Sequence, residues 1–198
     1  MGSEMCIRDS VQPFVNIDVQ LYPGRNLATI TQADTVAYYG SGIIDDFDRY
    51  TSACAVMEAA EKLSYADEAD EFLFDEIGSA LKALQDTQFP TLVLDAFILR
   101  ATAHSGWGLS LFNCAQCGRR GPHHAFHPAV GGAACVHCRP PGSFDVEEDT
   151  LHIMWLLTEG YFDAAQDKLT ETTAAQVHRL SVAHLQFNVE SALSLIHI

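Results

Sequence analysis

Positive charge is what this sequence has least of: 11 lysines and arginines face 26 aspartates and glutamates, for a formal net charge of −15. That balance argues against a general nucleic-acid binder, which presents a basic surface. By itself it implies only solubility and long-range repulsion of polyanions. No apolar run approaches the roughly 18–20 residues of a membrane span. The opening residues lack the apolar core of a secretory signal. No G-x-x-x-x-G-K-[ST] loop is present to cradle phosphates. Gly40-Ser41-Gly42 falls short of the G-x-S-x-G nucleophile elbow. No catalytic constellation stands out, and the chain reads as a non-enzyme. With 48% hydrophobic and 19% charged residues, it is an ordinary globular protein of one or two domains.

What the chain does have is cysteine in a pattern. Cys114-Ala-Gln-Cys117 and Cys135-Val-His-Cys138 are separated by seventeen residues, the spacing of a four-cysteine zinc site. Each C-x-x-C turn brings two thiolates to one side of a knuckle, and two knuckles complete a tetrahedron around Zn²⁺. The segment between carries ribbon turns at Gly118, Gly121-Pro122 and Gly131-Gly132. It is too small to hold a core of its own. Two disulfides would need an oxidising compartment, and six cysteines without a signal argue instead for a reducing cytoplasm. A thioredoxin-like pair would not be doubled, and it would belong to a βαβ pattern. A catalytic zinc would need an open position that four thiolates deny. The reading is structural Zn²⁺ on Cys114, Cys117, Cys135 and Cys138. His123, His124 and His127 superficially suggest a metal hydrolase but read as exposed loop histidines.

In chain order, Val15, Ile17, Val19 and Leu21 alternate with polar residues as in a half-buried strand. Pro23-Gly24-Arg25-Asn26 is a turn, and residues 27–33 return as the second strand of a hairpin. Two strands alone are marginal, so this hairpin needs further partners. From Asp45 the period becomes helical, with Phe47, Tyr50, Cys54 and Met57 on one expected buried face and Asp45 or Asp46 as cap. Cys54 there reads as a small buried apolar residue. Acids at 67–71 open a second helix striped with Leu73, Ile77, Leu81 and Leu84. Phe89-Pro90 starts a third, apolar almost all round and therefore central, which runs to about Gly106. A fourth carries Leu151, Met154, Trp155 and Leu156 and closes at Gly160. A fifth, capped by Thr173, carries Val177, Leu180 and Phe187, with His178 and His184 as surface or edge residues. The expected architecture is five helices with the ribbon between the third and fourth.

Residues 1–10 and 193–198 look like adapter-derived sequence, so a native N-terminal part is expected to be missing. Of the few bases, Arg119, Arg120 and Arg139 cluster beside the knuckles, where they either touch phosphates or keep the ribbon soluble.

The order of features resembles the RecO family of bacterial recombination-repair proteins. The resemblance rests on Pro13-Phe14, on residues 19–32 with their Tyr22-Pro-Gly-Arg25-Asn-Leu27 hairpin, and on Phe97-Ile-Leu-Arg100 and Gly106. It continues through Cys114-Ala-Gln-Cys117-Gly118-Arg119 and Gly131-Gly132-Ala-Ala-Cys135-x-x-Cys138-Arg139-Pro140, and covers nearly all of 11–192. It implies an α+β chain: the last strands of a truncated N-terminal OB-fold β-barrel (11–40), then a mostly α-helical domain (41–192) with an inserted four-cysteine zinc ribbon (114–138). It further implies a cytoplasmic, nucleoid-associated recombination mediator without a catalytic site. Such a protein binds single- and double-stranded DNA, pairs with RecR, works on single-strand-binding protein, helps load RecA and anneals strands. Arg25, Arg119, Arg120 and Arg139 are the candidate DNA contacts. Physics without the resemblance leaves the alternative of an acidic zinc-ribbon adaptor that meets only proteins.

Overall fold

A computed structural model describes residues 11–25, 27–64 and 69–189. The expected leader at 1–10, the tail at 193–198, and Asn26, Asp67 and Glu68 lie outside them. The chain is α+β: two small sheets and a mostly helical body.

Strands β1 (Val15–Tyr22) and β2 (Thr29–Tyr38) form an antiparallel hairpin with irregularities after Asn16 and Gln20. The returning strand starts later and runs further than its Thr- and Ile-rich stretch suggested. Its only buried residue is Ala33. Leu21, Tyr22, Val36 and Tyr38 are exposed; the half-buried face expected of Val15, Ile17, Val19 and Leu21 holds for the first three and fails at Leu21.

Helix α1 (Phe47–Leu63) begins at Asp46, whose carboxylate accepts from the Arg49 N–H. Its buried face corrects the expected one. Ser52, Ala53, Ala55, Val56, Ala59, Ala60 and Leu63 face inward, while Phe47, Tyr50 and Met57 are exposed and Cys54 is half-buried. A face of alanines lets α3 approach closely, and close packing outweighs the larger side chains on the other face. Helix α2 (Glu71–Leu84) is capped by Asp70 and buries Leu73, Leu81 and Leu84 as its stripe indicated.

Helix α3 (Pro90–Thr102) is the hub, packed against α1, α2, α4 and α6. A π-helical turn (Ala103–Trp107) ends it, with Gly106 at φ 90°. After the ribbon come α4 (Glu148–Thr158), a short α5 (Phe162–Asp167) that no sequence period revealed, and α6 (Glu171–Val189). The described helices thus number six rather than five. The cap of α6 is Thr170, not Thr173. Each hydroxyl of the two accepts from the other's backbone N–H, at 2.8 and 3.1 Å, a reciprocal cap spaced three residues apart.

His184 is not a surface residue, whereas His178 stands half-buried at a helix edge as expected. His184 is 2% exposed and its Nε2 donates to the Trp107 carbonyl at 2.9 Å, while His178 meets the buried Asp95. One apolar cluster joins α1, α2, α3 and the end of α6, including Ala59, Leu84, Ile98 and Leu185. A second joins the other side of α3 to α4, α5, α6 and the ribbon, including Leu99, Phe126, Met154 and Leu180. Among the described residues, no helix is long and apolar enough to cross a membrane.

Candidate metal centre and nucleic-acid interface

The ribbon is built by its turns. Gly118 N–H donates to the Cys114 carbonyl at 2.8 Å, and Cys138 and Arg139 N–H groups donate to the Cys135 carbonyl at 3.0 and 2.9 Å. Each C-x-x-C therefore closes on its own first residue. Three short strands, β3 (Ala125–His127), β4 (Gly132–Ala133) and β5 (Phe144–Asp145), hold the knuckles in register. Gly132, at φ 133°, lies so close to Ser110 that a Cβ would run into the Ser110 carbonyl oxygen, a position only glycine fills without strain. The ribbon has no private core. Phe126, fully buried, and Ala133 belong to the second helical cluster.

The four sulfurs converge. Cys114, Cys117, Cys135 and Cys138 are free thiols whose Sγ atoms all lie within 4.8 Å of one another. Cys117 and Cys135 are 3.8 Å apart, and Zn–S bonds of about 2.3 Å set the sulfurs of a tetrahedral site about 3.8 Å apart. The donor set fits the ion. Burial acts to raise the Cys114 thiol, but N–H groups of Cys135, Cys117 and Gln116 bring it down to about 6. The His137 N–H likewise holds Cys135 below its ordinary value. Cys138 goes the other way, pushed up to about 12 by the sulfurs of Cys135 and Cys117. Four thiols this close cannot all carry charge unless a cation sits among them, so metal binding and thiol deprotonation are linked.

The histidines separate on inspection. His123 is buried, contrary to an exposed-loop reading; its Nε2 donates to the Arg119 carbonyl at 2.9 Å. The same carbonyl accepts from Cys114 N–H at 2.8 Å, so His123 fastens the first knuckle. His127 is half-buried and its Nδ1 accepts from Ala129 N–H; His124 is exposed.

Arg119, Arg120 and Arg139 come together along a groove of about 280 Å³ that His124 and Val136 also line. Arg139 is paired with Asp145 at 2.8 Å. Arg119 and Arg120 are exposed and, among the described residues, have no ion pair. Arg25 is exposed on the β1–β2 turn, part of a separate sheet, and does not line this groove. Asp145, which neutralises one of the three bases, escaped sequence reasoning because only the pairing of β5 with β3 brings it into place.

A helical body wrapped on one central helix, with a four-thiol ribbon sewn into its second core, is the class of protein that fold and site define. Residues 44–195 match the family described as Recombination protein O C terminal. The chain belongs to the RecO family. That membership carries a role in DNA repair and recombination, and the family's proteins are recombination mediators rather than known enzymes.

Proposed function

We propose that the chain is a recombination mediator without turnover whose ribbon holds a structural Zn²⁺ on Cys114, Cys117, Cys135 and Cys138. Bound there, the ion neutralises the crowded thiolates and fixes the two knuckles. The observation that carries the reading is the family match combined with the convergence of the four sulfurs. In this reading residues 11–40 are the last strands of an OB-fold, and 41–192 form the helical domain with the ribbon at 114–138. The chain binds single- and double-stranded DNA, works with RecR and single-strand-binding protein, promotes RecA loading and anneals strands in the bacterial cytoplasm. Arg119 and Arg120, exposed and unpaired, are the ribbon's phosphate contacts; Arg139 and Arg25 stand beside them as weaker candidates.

The acidic adaptor reading keeps one specific observation in its favour, the neutralisation of Arg139 by Asp145 in a chain of net charge −15. Titrating the zinc-loaded chain with a labelled single-stranded oligonucleotide across salt separates the two. The mediator binds with an affinity that falls steeply as salt rises. Negligible binding at low salt favours the adaptor.

A further inference from the structure

We propose that Phe112, Trp155 and Tyr161 form a base-stacking row for single-stranded DNA, entered from Arg120; this rests on the DNA-binding reading above. The ring centroids of Phe112 and Trp155 are 5.2 Å apart, and those of Trp155 and Tyr161 are 6.0 Å apart. His152 flanks the first two at 6.1 and 6.0 Å. Packing accounts for only part of this. Trp155 rests its inner side on the second core cluster, but Phe112 is 50% and Tyr161 56% exposed. Phe112 stands edge-on to Trp155 at 61° and Tyr161 is tilted 45° to it, so the two half-exposed rings offer separate surfaces, each able to take one unpaired base.

The row is joined to the ribbon's free cations. Gly121 N–H donates to the Phe112 carbonyl at 2.9 Å, and Asn113 bridges to Arg120. Phe112, Arg120 and His152 share a groove of about 540 Å³. Glu148 and Asp149 line it too, and Lys168 faces Asp149 at 3.9 Å. Those acids disfavour the dense phosphates of a duplex, whose bases are in any case already stacked on one another. A single strand places a phosphate or two at Arg119 and Arg120 and lays its bases on the rings.

The test uses the full chain loaded with zinc, carrying Trp107→Phe so that Trp155 is the sole tryptophan, titrated with an oligo(dT) and with a duplex of equal length. Bases on the row quench Trp155 emission. Phe112→Ala and Tyr161→Ala, both at half-exposed positions that leave the fold intact by circular dichroism, each weaken single-strand binding roughly 5- to 100-fold. Duplex affinity moves less than about twofold, since stacking is not available to it. Arg120→Ala lowers the salt slope by about 0.7. Single-strand binding that depends on Arg119 and Arg120 but ignores both ring substitutions, with Trp155 unquenched, overturns the row and leaves the DNA reading standing. No DNA binding at low salt overturns both.

Discussion

Nδ1 of His178 lies 2.9 Å from Oδ1 of Asp95, tying α6 to the middle of α3 through a carboxyl that is 1% exposed. Burial raises the Asp95 pKa, and the hydrogen bond from His178 pulls it part of the way back. A raised carboxyl favours folding while protonated, so this contribution is present below 3.8 and lost as pH rises through the folded value. His178 limits that loss at neutral pH. His178→Ala is expected to destabilise the chain by about 1–3 kcal/mol at pH 7 in urea unfolding. A double-mutant cycle with Asp95→Asn should show coupling above about 0.5 kcal/mol; strict additivity would contradict the pair.

His184 makes the opposite pH prediction. Burial holds its pKa below 6.5, with the Trp107 carbonyl opposing. Nε2 donates to that carbonyl, and Nδ1 faces the Asn188 amide nitrogen at 3.3 Å, where it accepts. A second proton therefore has no acceptor. The neutral ring fits the fold, so stability is full above 6.5 and falls as pH drops from there toward the depressed folded value. His184→Gln should flatten the decline in unfolding midpoint between pH 7 and pH 5. An unchanged slope would place the acid sensitivity elsewhere.

At the ribbon, Cys114→Ser and Cys135→Ser are each expected to abolish stoichiometric zinc and to lower thermal stability of the helical body as well. The second effect follows because Phe126 and Ala133 belong to the helical core. Metal content by plasma emission and a melting curve read the two outcomes separately. Full zinc occupancy in both variants would sink the four-thiol site.

The inward face of α1 supplies a fourth test. Ala59→Leu, at a position with no exposure, should cost about 1–3 kcal/mol through overpacking. Phe47→Ser, at a residue 67% exposed, should change stability by no more than about 0.5 kcal/mol. A reversed ranking would restore the aromatic face as the core face.

Much of this was legible in the sequence where the signal is local. The hairpin, a cap at Asp45 or Asp46, the α2 stripe, the all-round apolar α3 and the two knuckles all follow from spacing within a dozen residues. The misread parts depend on distant partners or on how a loop turns back on itself. The burial of Ala53 and Ala59 is set by how closely α3 approaches, and hydrophobicity ranks Phe47 above either. His123 has a free-looking loop sequence, yet the carbonyl it needs is four residues back and turned inward. His178 and Asp95 lie 83 positions apart, beyond the reach of any periodicity. The convergence of the sulfurs was expected from their spacing. The pairing of Arg139 with Asp145 was not, and it divides three similar arginines into one occupied and two available.

Phe126 gives the ribbon a bearing on how the chain matures. It lies in sequence between α3 and α4, and its fully buried ring belongs to the cluster that binds those helices together. The first cluster, by contrast, contains no ribbon residue. A chain whose ribbon stays open is therefore half-finished in a defined way. The first cluster, of α1, α2, α3 and the end of α6, loses no side chain by it, while Leu99, Met154 and Leu180 would lack the ring that packs with them. The ribbon is thereby tied to the packing of α4, α5 and α6 as much as to its own turns.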